Sequence, residues 1–232
     1  MADDHLRTLE RRFRETGAVE DEAAWLRERV RAGVLPEARA RLAAELGYPA
    51  ARRHWPADDS PTLLGWRLRI ARRCAAVTPP AGGARFSLAV VEAALLALPP
   101  SAPVYPLVSG MLEAVEDWVV SAGEAQLPAE LERLALRHRG YATQLVLWLS
   151  RSIGGGDVPC QRALRAALLL LEESAERPDP RAWVEAALHS RLCPWLLGCG
   201  DPVRTRVAMR GETDARSEGL GSQGGAGPAI AP

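Results

Sequence analysis

The sequence predicts an all-α protein, and three observations carry that prediction. Apolar residues recur at spacings of three and four in one segment after another. No segment shows the apolar–polar alternation or β-branched enrichment of a strand. The chain's 20 glycines and 18 prolines supply the breaks that a succession of short helices needs. The economical packing is an irregular antiparallel helical-hairpin array, HEAT-like or a compact orthogonal bundle, with a disordered C-terminal tail. The period is loose and carries no TPR or ankyrin signature.

The elements follow in order. Asp3 or Asp4 caps a first helix whose core face is Leu6, Leu9 and Phe13, and Gly17 stops it. A second helix opens with Glu20, Asp21 and Glu22 at its positive end. It turns Val19, Ala23, Leu26 and Val30 inward and ends at Gly33. Pro36 starts a third, with Leu35, Ala38, Leu42 and Leu46 on its face and Gly47 as its stop. Residues 48–61, YPAARRHWPADDSP, read as one turn of helix and a connector, and Ser60–Pro61 is a further start signal.

A helix over 62–77 is expected to bury Leu64, Leu68, Ala71 and Ala75. Pro79, Pro80, Gly82 and Gly83 form the next break. RFSLAVVEAALLAL is apolar almost all round, the mark of a central buried helix. After PPSAPVYP, the stripe Val104, Val108, Met111, Val115 and Trp118 follows at spacings of four, three, four and three. Further helices are expected over 128–139, 141–153, 158–175 and 181–192, started by Pro128, by Asp157 and Pro159, and by Asp179 and Pro180. From Gly211 the composition offers little to bury and reads as a tail. The expected organisation is a three-helix segment over 1–55, a helical array over 60–200 and a tail over 211–232.

Composition excludes several classes. The formal net charge is zero, so the whole molecule has no long-range pull toward phosphate or an anionic membrane. Every basic residue is arginine, with no lysine or asparagine, which reflects a GC-rich coding bias before any arginine function. MADDHLRTLERR is no signal peptide, and no stretch approaches the roughly 20 apolar residues of a spanning helix. Cys74, Cys160, Cys193 and Cys199 have no CxxC pairing, so the expectation is a cytoplasmic protein with reduced thiols.

The segment ERRFRETGAVEDEAAWLRERVRAGVLPEARARLAAELGYPAAR, residues 10–52, resembles the leading segment of uncharacterised helical proteins of high-GC bacteria, myxobacteria especially. Beyond it the likeness is one of texture, with LEAVEDWVV standing where those proteins read EAAEAWV. Some of them carry an immunity-protein label. The resemblance implies an all-helical fold and binding to a protein, and transfers no catalytic residue.

The candidate chemistry is sparse. His189, Cys193 and Cys199, with Cys160 and His138 as completions, are the one metal or nucleophile constellation. Zinc needs four ligands in a tetrahedron, and here one helical-turn pair precedes the Pro194 break, so a structural role outweighs a ligand set. A Cys–His nucleophile lacks a third, orienting group. The carboxylate pairs Glu20–Asp21–Glu22, Glu116–Asp117 and Glu172–Glu173 read as solvated helix surface. Gly154–Gly155–Gly156 lacks the lysine of a phosphate loop and reads as a connector.

Arg52, Arg53, Arg67, Arg69, Arg72, Arg73 and Arg85 face only Asp58 and Asp59 in their own stretch. Arg69, Arg72 and Arg73 share a helical face. Internal pairing with the acidic stretch 113–132 is the favoured account of them. Seven tryptophans outnumber two phenylalanines. Trp118 and Trp148 lie near apolar stripes and read as core. Trp25, Trp55 and Trp66 lie beside their stripes and next to arginines, a composition that protein interfaces enrich.

The expectation is therefore a non-catalytic protein–protein interaction or adaptor module, immunity or regulatory in role. Its surface would comprise Trp25, Arg53, Trp55, Trp66, Arg69, Arg72 and Arg73. The partner is another protein, with no membrane, cofactor or metal. One alternative is a metal-binding or Cys-dependent enzyme or sensor using His189, Cys193 and Cys199. A second is nucleic-acid binding through the Arg69, Arg72 and Arg73 face.

Overall fold

The most apolar segment of the sequence becomes the centre of the fold. In this computed structural model, which describes residues 2–57, 62–77, 80–125, 127, 129–137, 140–173 and 179–221, thirteen helices and no strand are found among the described residues. They are α1 (Ala2–Thr16), α2 (Val19–Arg31), α3 (Glu37–Glu45), α4 (Pro49–Arg52), α5 (Leu63–Val77), α6 (Ala81–Leu95) and α7 (Tyr105–Val120). There follow α8 (Ala129–Arg137), α9 (Tyr141–Ser152), α10 (Asp157–Glu173), α11 (Pro180–Arg191), α12 (Cys193–Leu197) and α13 (Pro202–Gly221). None of the helices among the described residues is long and apolar enough to cross a membrane.

Helix α6 buries thirteen of its fifteen residues, leaving only Ala81 and Glu92 partly open. It packs against α5, α7, α9, α10 and α11. In a solenoid each repeat touches only its sequence neighbours. Contacts of α5 with α10 and of α6 with α11 join helices far apart in sequence, so the arrangement is a bundle wrapped around α6. One hydrophobic cluster runs from Ala23 to Val203, and the expected division at residues 55–60 is not a boundary in the core. The N-terminal helices join that cluster through Leu26, Leu35, Leu42 and Leu46, with Leu6, Leu9 and Phe13 packed against it. Gly33 ends its helix as expected, with φ at +72° and its N–H donating back to Val30 O.

Four expectations need correction. Helix α5 is rolled relative to the predicted face: Trp66, Ile70, Ala71, Cys74 and Ala75 are buried, while Leu64 is 55% exposed and Leu68 is 37% exposed. The larger gain comes from an indole and an isoleucine, so the leucines turn out. Gly82 and Gly83 are no break; they lie in the first turn of α6, where a Cβ on Gly83 would fall 3.3 Å from Cys160 Sγ of α10. Glycine is there for close helix approach. The short helix α12 forms across Pro194, which occupies its first turn, the position where proline's missing N–H is not needed.

Helix α13 runs through Gly211, where the tail was expected to begin. Its start carries the Asp–Pro signal already used for α11: Asp201 Oδ1 accepts the Arg204 N–H at 3.2 Å, ahead of Pro202. The rest of the expected tail, residues 222–232, lies outside the described residues, as do Ser60, Pro61, Pro79, Pro128 and His138.

Candidate functional site

The tryptophans chosen from the sequence are inside. Trp66 is 1% exposed, and Trp25 and Trp55 are also buried. Trp25 stacks on Phe13 at 5.6 Å and carries the Arg29 guanidinium 4.7 Å above its ring. Arg29 in turn donates to Leu197 O, clamping α2 to the end of α12. Trp25 also borders a cleft of about 320 Å³ shared with Phe13, Arg14, Gly198 and Cys199. Trp55 and Trp66 are thus not surface residues, and Trp25 reaches solvent only at this cleft. Spacing placed them beside the expected stripes, whereas the buried face of α5 runs through Trp66 and Trp55 lies in the turn after α4.

The cysteines and His189 do not converge. Among the described residues no group of three or more His, Cys, Asp or Glu side chains is arranged to hold a metal ion. The His189 ring meets Tyr48 edge-on at 5.1 Å, and Tyr48 Oη donates to Glu22 Oε1 at 2.5 Å. Burial lifts Glu22 above the usual carboxylate range, against the opposing pull of Tyr48 and His189. Cys74, Cys160 and Cys193 are buried, and burial pushes each thiol up, Cys160 to about 11. Protonated thiols in apolar surroundings are poor nucleophiles. Cys199 is exposed and donates only to Leu197 O.

Charge is largely consumed inside the fold, with partners other than those expected. Arg53 pairs with Glu20 at 2.6 Å, Arg73 with Glu45 at 2.7 Å, and Arg72 more loosely with Asp157 at 3.7 Å. None of these reaches the 113–132 stretch. Within that stretch Glu116 is 1% exposed, which overturns its reading as solvated surface. Arg206 and Arg210, one turn apart on α13, each place a guanidinium nitrogen 3.1 Å from it. Arg206 also reaches Glu92, and Arg210 reaches Asp117. Burial raises Glu116 above the usual carboxylate range, ahead of the lowering by the two arginines. Arg85, counted in the basic cluster, is buried and forks onto Asp201 at 2.6 and 2.7 Å.

Several arginines without a carboxylate partner among the described residues gather on one face. Val158, Arg162 and Arg165 are exposed on α10 at spacings of four and three. Arg162 lies 5.6 Å from the ring of Trp148 on α9, and Arg151 of α9 lies 5.2 Å from the same ring. Trp148, expected in the core, is half-buried between these arginines. On the other side α5 packs against α10 and brings Arg67, between the exposed Leu64 and Leu68. Burial and then the charges of Arg165 and Arg162 hold Arg67 below the ordinary arginine range. The Nε atoms of Arg67 and Arg69 are buried without an acceptor. Among the described residues no carboxylate pairs with Arg67, Arg69, Arg151, Arg162 or Arg165. The sequence signal that would have found this face is the outward stripe 158–162–165.

Comparison with family models, with curated proteins and with solved structures found no match to this chain.

Proposed function

We propose that the chain is a non-catalytic module of the cytoplasm that binds another protein, as an adaptor or regulator. One observation carries this reading: the α5–α9–α10 face holds exposed leucines and valine among arginines that no carboxylate of the described residues neutralises. Elsewhere the polar groups with perturbed affinities are engaged in packing the helices together, as with Glu22–Tyr48–His189 and Glu116–Arg206–Arg210. Apolar side chains interleaved with arginine are what protein interfaces enrich, and arginine loses little freedom per bond formed. The immunity-protein label on proteins resembling residues 10–52 points the same way.

The test is affinity capture and cross-linking in cells of the source organism. The wild-type chain is compared with a variant carrying Leu64→Ser, Arg162→Glu and Arg165→Glu, and with Leu96→Ser, an exposed change elsewhere. A protein retained by wild type and Leu96→Ser and lost by the face variant supports the reading. No face-dependent protein, or release of ammonia, acid or metal-dependent product from any substrate panel with a turnover abolished by Cys199→Ser, would refute it.

A further inference from the structure

The basic face is not evenly basic; it has a pattern. Helices α5 and α10 pack side by side and leave Leu64 and Leu68 exposed on α5 and Val158 exposed on α10. Arg67 lies on the first helix, and Arg162 and Arg165 lie on the second. Arg162 lies 5.6 Å from the Trp148 ring on α9, and α10 packs against both α9 and α5, so α10 joins the three helices on this side of the bundle. The Trp148 ring holds the guanidinium groups of Arg151 and Arg162, which lowers the entropy lost when they meet an anion.

Like charges gathered with no carboxylate partner among the described residues disfavour the empty state. An incoming carboxylate lowers that repulsion. From this pattern we propose that the exposed α5–α10 face docks an acidic amphipathic helix of a partner protein, its apolar stripe on Leu64, Leu68 and Val158 and its carboxylates on Arg67, Arg162 and Arg165. The assignment rests on the protein-binding reading above and narrows it to one chemistry.

Three features favour such a helix over nucleic acid. Two leucines and a valine at the rim have nothing to pack on along a phosphate backbone. Trp148 is already covered by two guanidinium groups, so its ring is not free to stack a base. The formal net charge of zero supplies none of the general attraction that nucleic-acid binding draws on. A helix repeats its side chains at the spacing i, i+3, i+4, i+7, so one face of it can meet both the apolar side chains and the arginines.

The experiment uses the full chain and a fluorescein-labelled peptide of about 18 residues, long enough to hold a helix, with leucine at that spacing and glutamate elsewhere. Fluorescence anisotropy should show saturable binding that weakens as salt rises. The same peptide with lysine for glutamate should not bind. Leu64→Ser with Leu68→Ser, and separately Arg162→Gln with Arg165→Gln, should each weaken binding about tenfold or more while leaving the circular-dichroism melt unchanged. These positions are exposed, and charge-neutral replacements keep the variants folded. Equal binding of the lysine peptide, indifference to both variants, no binding at all, or tighter binding of a mixed-sequence DNA duplex at the same salt would overturn the assignment. If the peptide fails but the capture experiment still yields a face-dependent protein, the acidic-helix chemistry is wrong and protein binding stands. Failure of both removes both.

Discussion

Replacing Asp201 should cost more than replacing Arg85, although the two form one ion pair. Arg85 is 7% exposed, donates twice to Asp201 at 2.6 and 2.7 Å, and lies 4.6 Å from the Trp195 ring. Its Nε already lacks an acceptor. Asp201→Ala would strand this buried cation and also remove the cap on Arg204 N–H. A buried charge left without its partner costs roughly 3–5 kcal/mol, and a cap about 1 kcal/mol. The Asp201 side chain is 24% exposed, so water enters and the charge penalty is discounted. About 3 kcal/mol in total is expected. Arg85→Met keeps the stem, loses the stacking and leaves a carboxylate that water can reach, so about 1–2 kcal/mol is expected.

The assay is urea unfolding of both single variants and the double variant. The cycle should give a coupling of about 1–2 kcal/mol. The pH profile adds a sign. Burial works to raise Asp201, but the hydrogen bonds and charges of Arg85 and Arg204 outweigh it and hold the group below its ordinary value. Its contribution is therefore present above the unfolded pKa and lost as pH falls through the folded one, and Asp201→Asn should flatten that acid loss. Arg85→Met costing more than Asp201→Ala, or a coupling under about 0.5 kcal/mol, would refute the reasoning.

Three further outcomes are expected. Glu116 is raised, chiefly by burial, so its contribution is present below the unfolded carboxylate pKa and lost as pH rises through the folded one; Glu116→Gln should gain on wild type in urea unfolding as pH rises above the ordinary carboxylate range, and a loss there would contradict it. Gly83→Val should cost about 2–3 kcal/mol in thermal unfolding, partly restored by adding Cys160→Ala, because its Cβ meets Cys160 Sγ at 3.3 Å. Trp66→Phe should cost less than Trp183→Phe by about 1 kcal/mol: the Trp66 N–H is buried without an acceptor, whereas Trp183 Nε1 donates to Ala93 O at 2.9 Å.

Much of the fold was legible because helix formation is local. The stripe through Val108, Met111 and Val115 is fully buried, and the apolar run beginning at Arg85 is the central helix. The starts of α10 and α11 at Asp157 and Pro180 follow their cap and proline signals. What failed was roll. Helix α5 offers Leu64–Leu68 on one side and Trp66–Ile70–Cys74 on another, and period alone scores both. The choice is made by what α6 and α10 present, and no local pattern encodes it. The same cause hid the outward leucines and left Trp66 off the face that period selects.

Charge was harder still, because an ion pair depends on two distant addresses. Arg85 and Asp201 are 116 residues apart, and Arg210 and Glu116 are 94 apart. Composition shows equal numbers of acidic and basic residues, 29 of each, so pairing is predictable as a class and unpredictable residue by residue. Arg69, Arg72 and Arg73 shared a face in the sequence, yet Arg72 and Arg73 reach different helices for their carboxylates. A surface assigned from one helix therefore counts arginines that the fold has already used. Among the arginines left without a carboxylate, Arg67 on one helix and Arg162 and Arg165 on another come onto one side of the bundle only after α5 packs on α10. A binding surface in this chain is what is left after internal neutralisation, and subtraction of that kind needs the whole set of contacts before any single residue can be assigned to it.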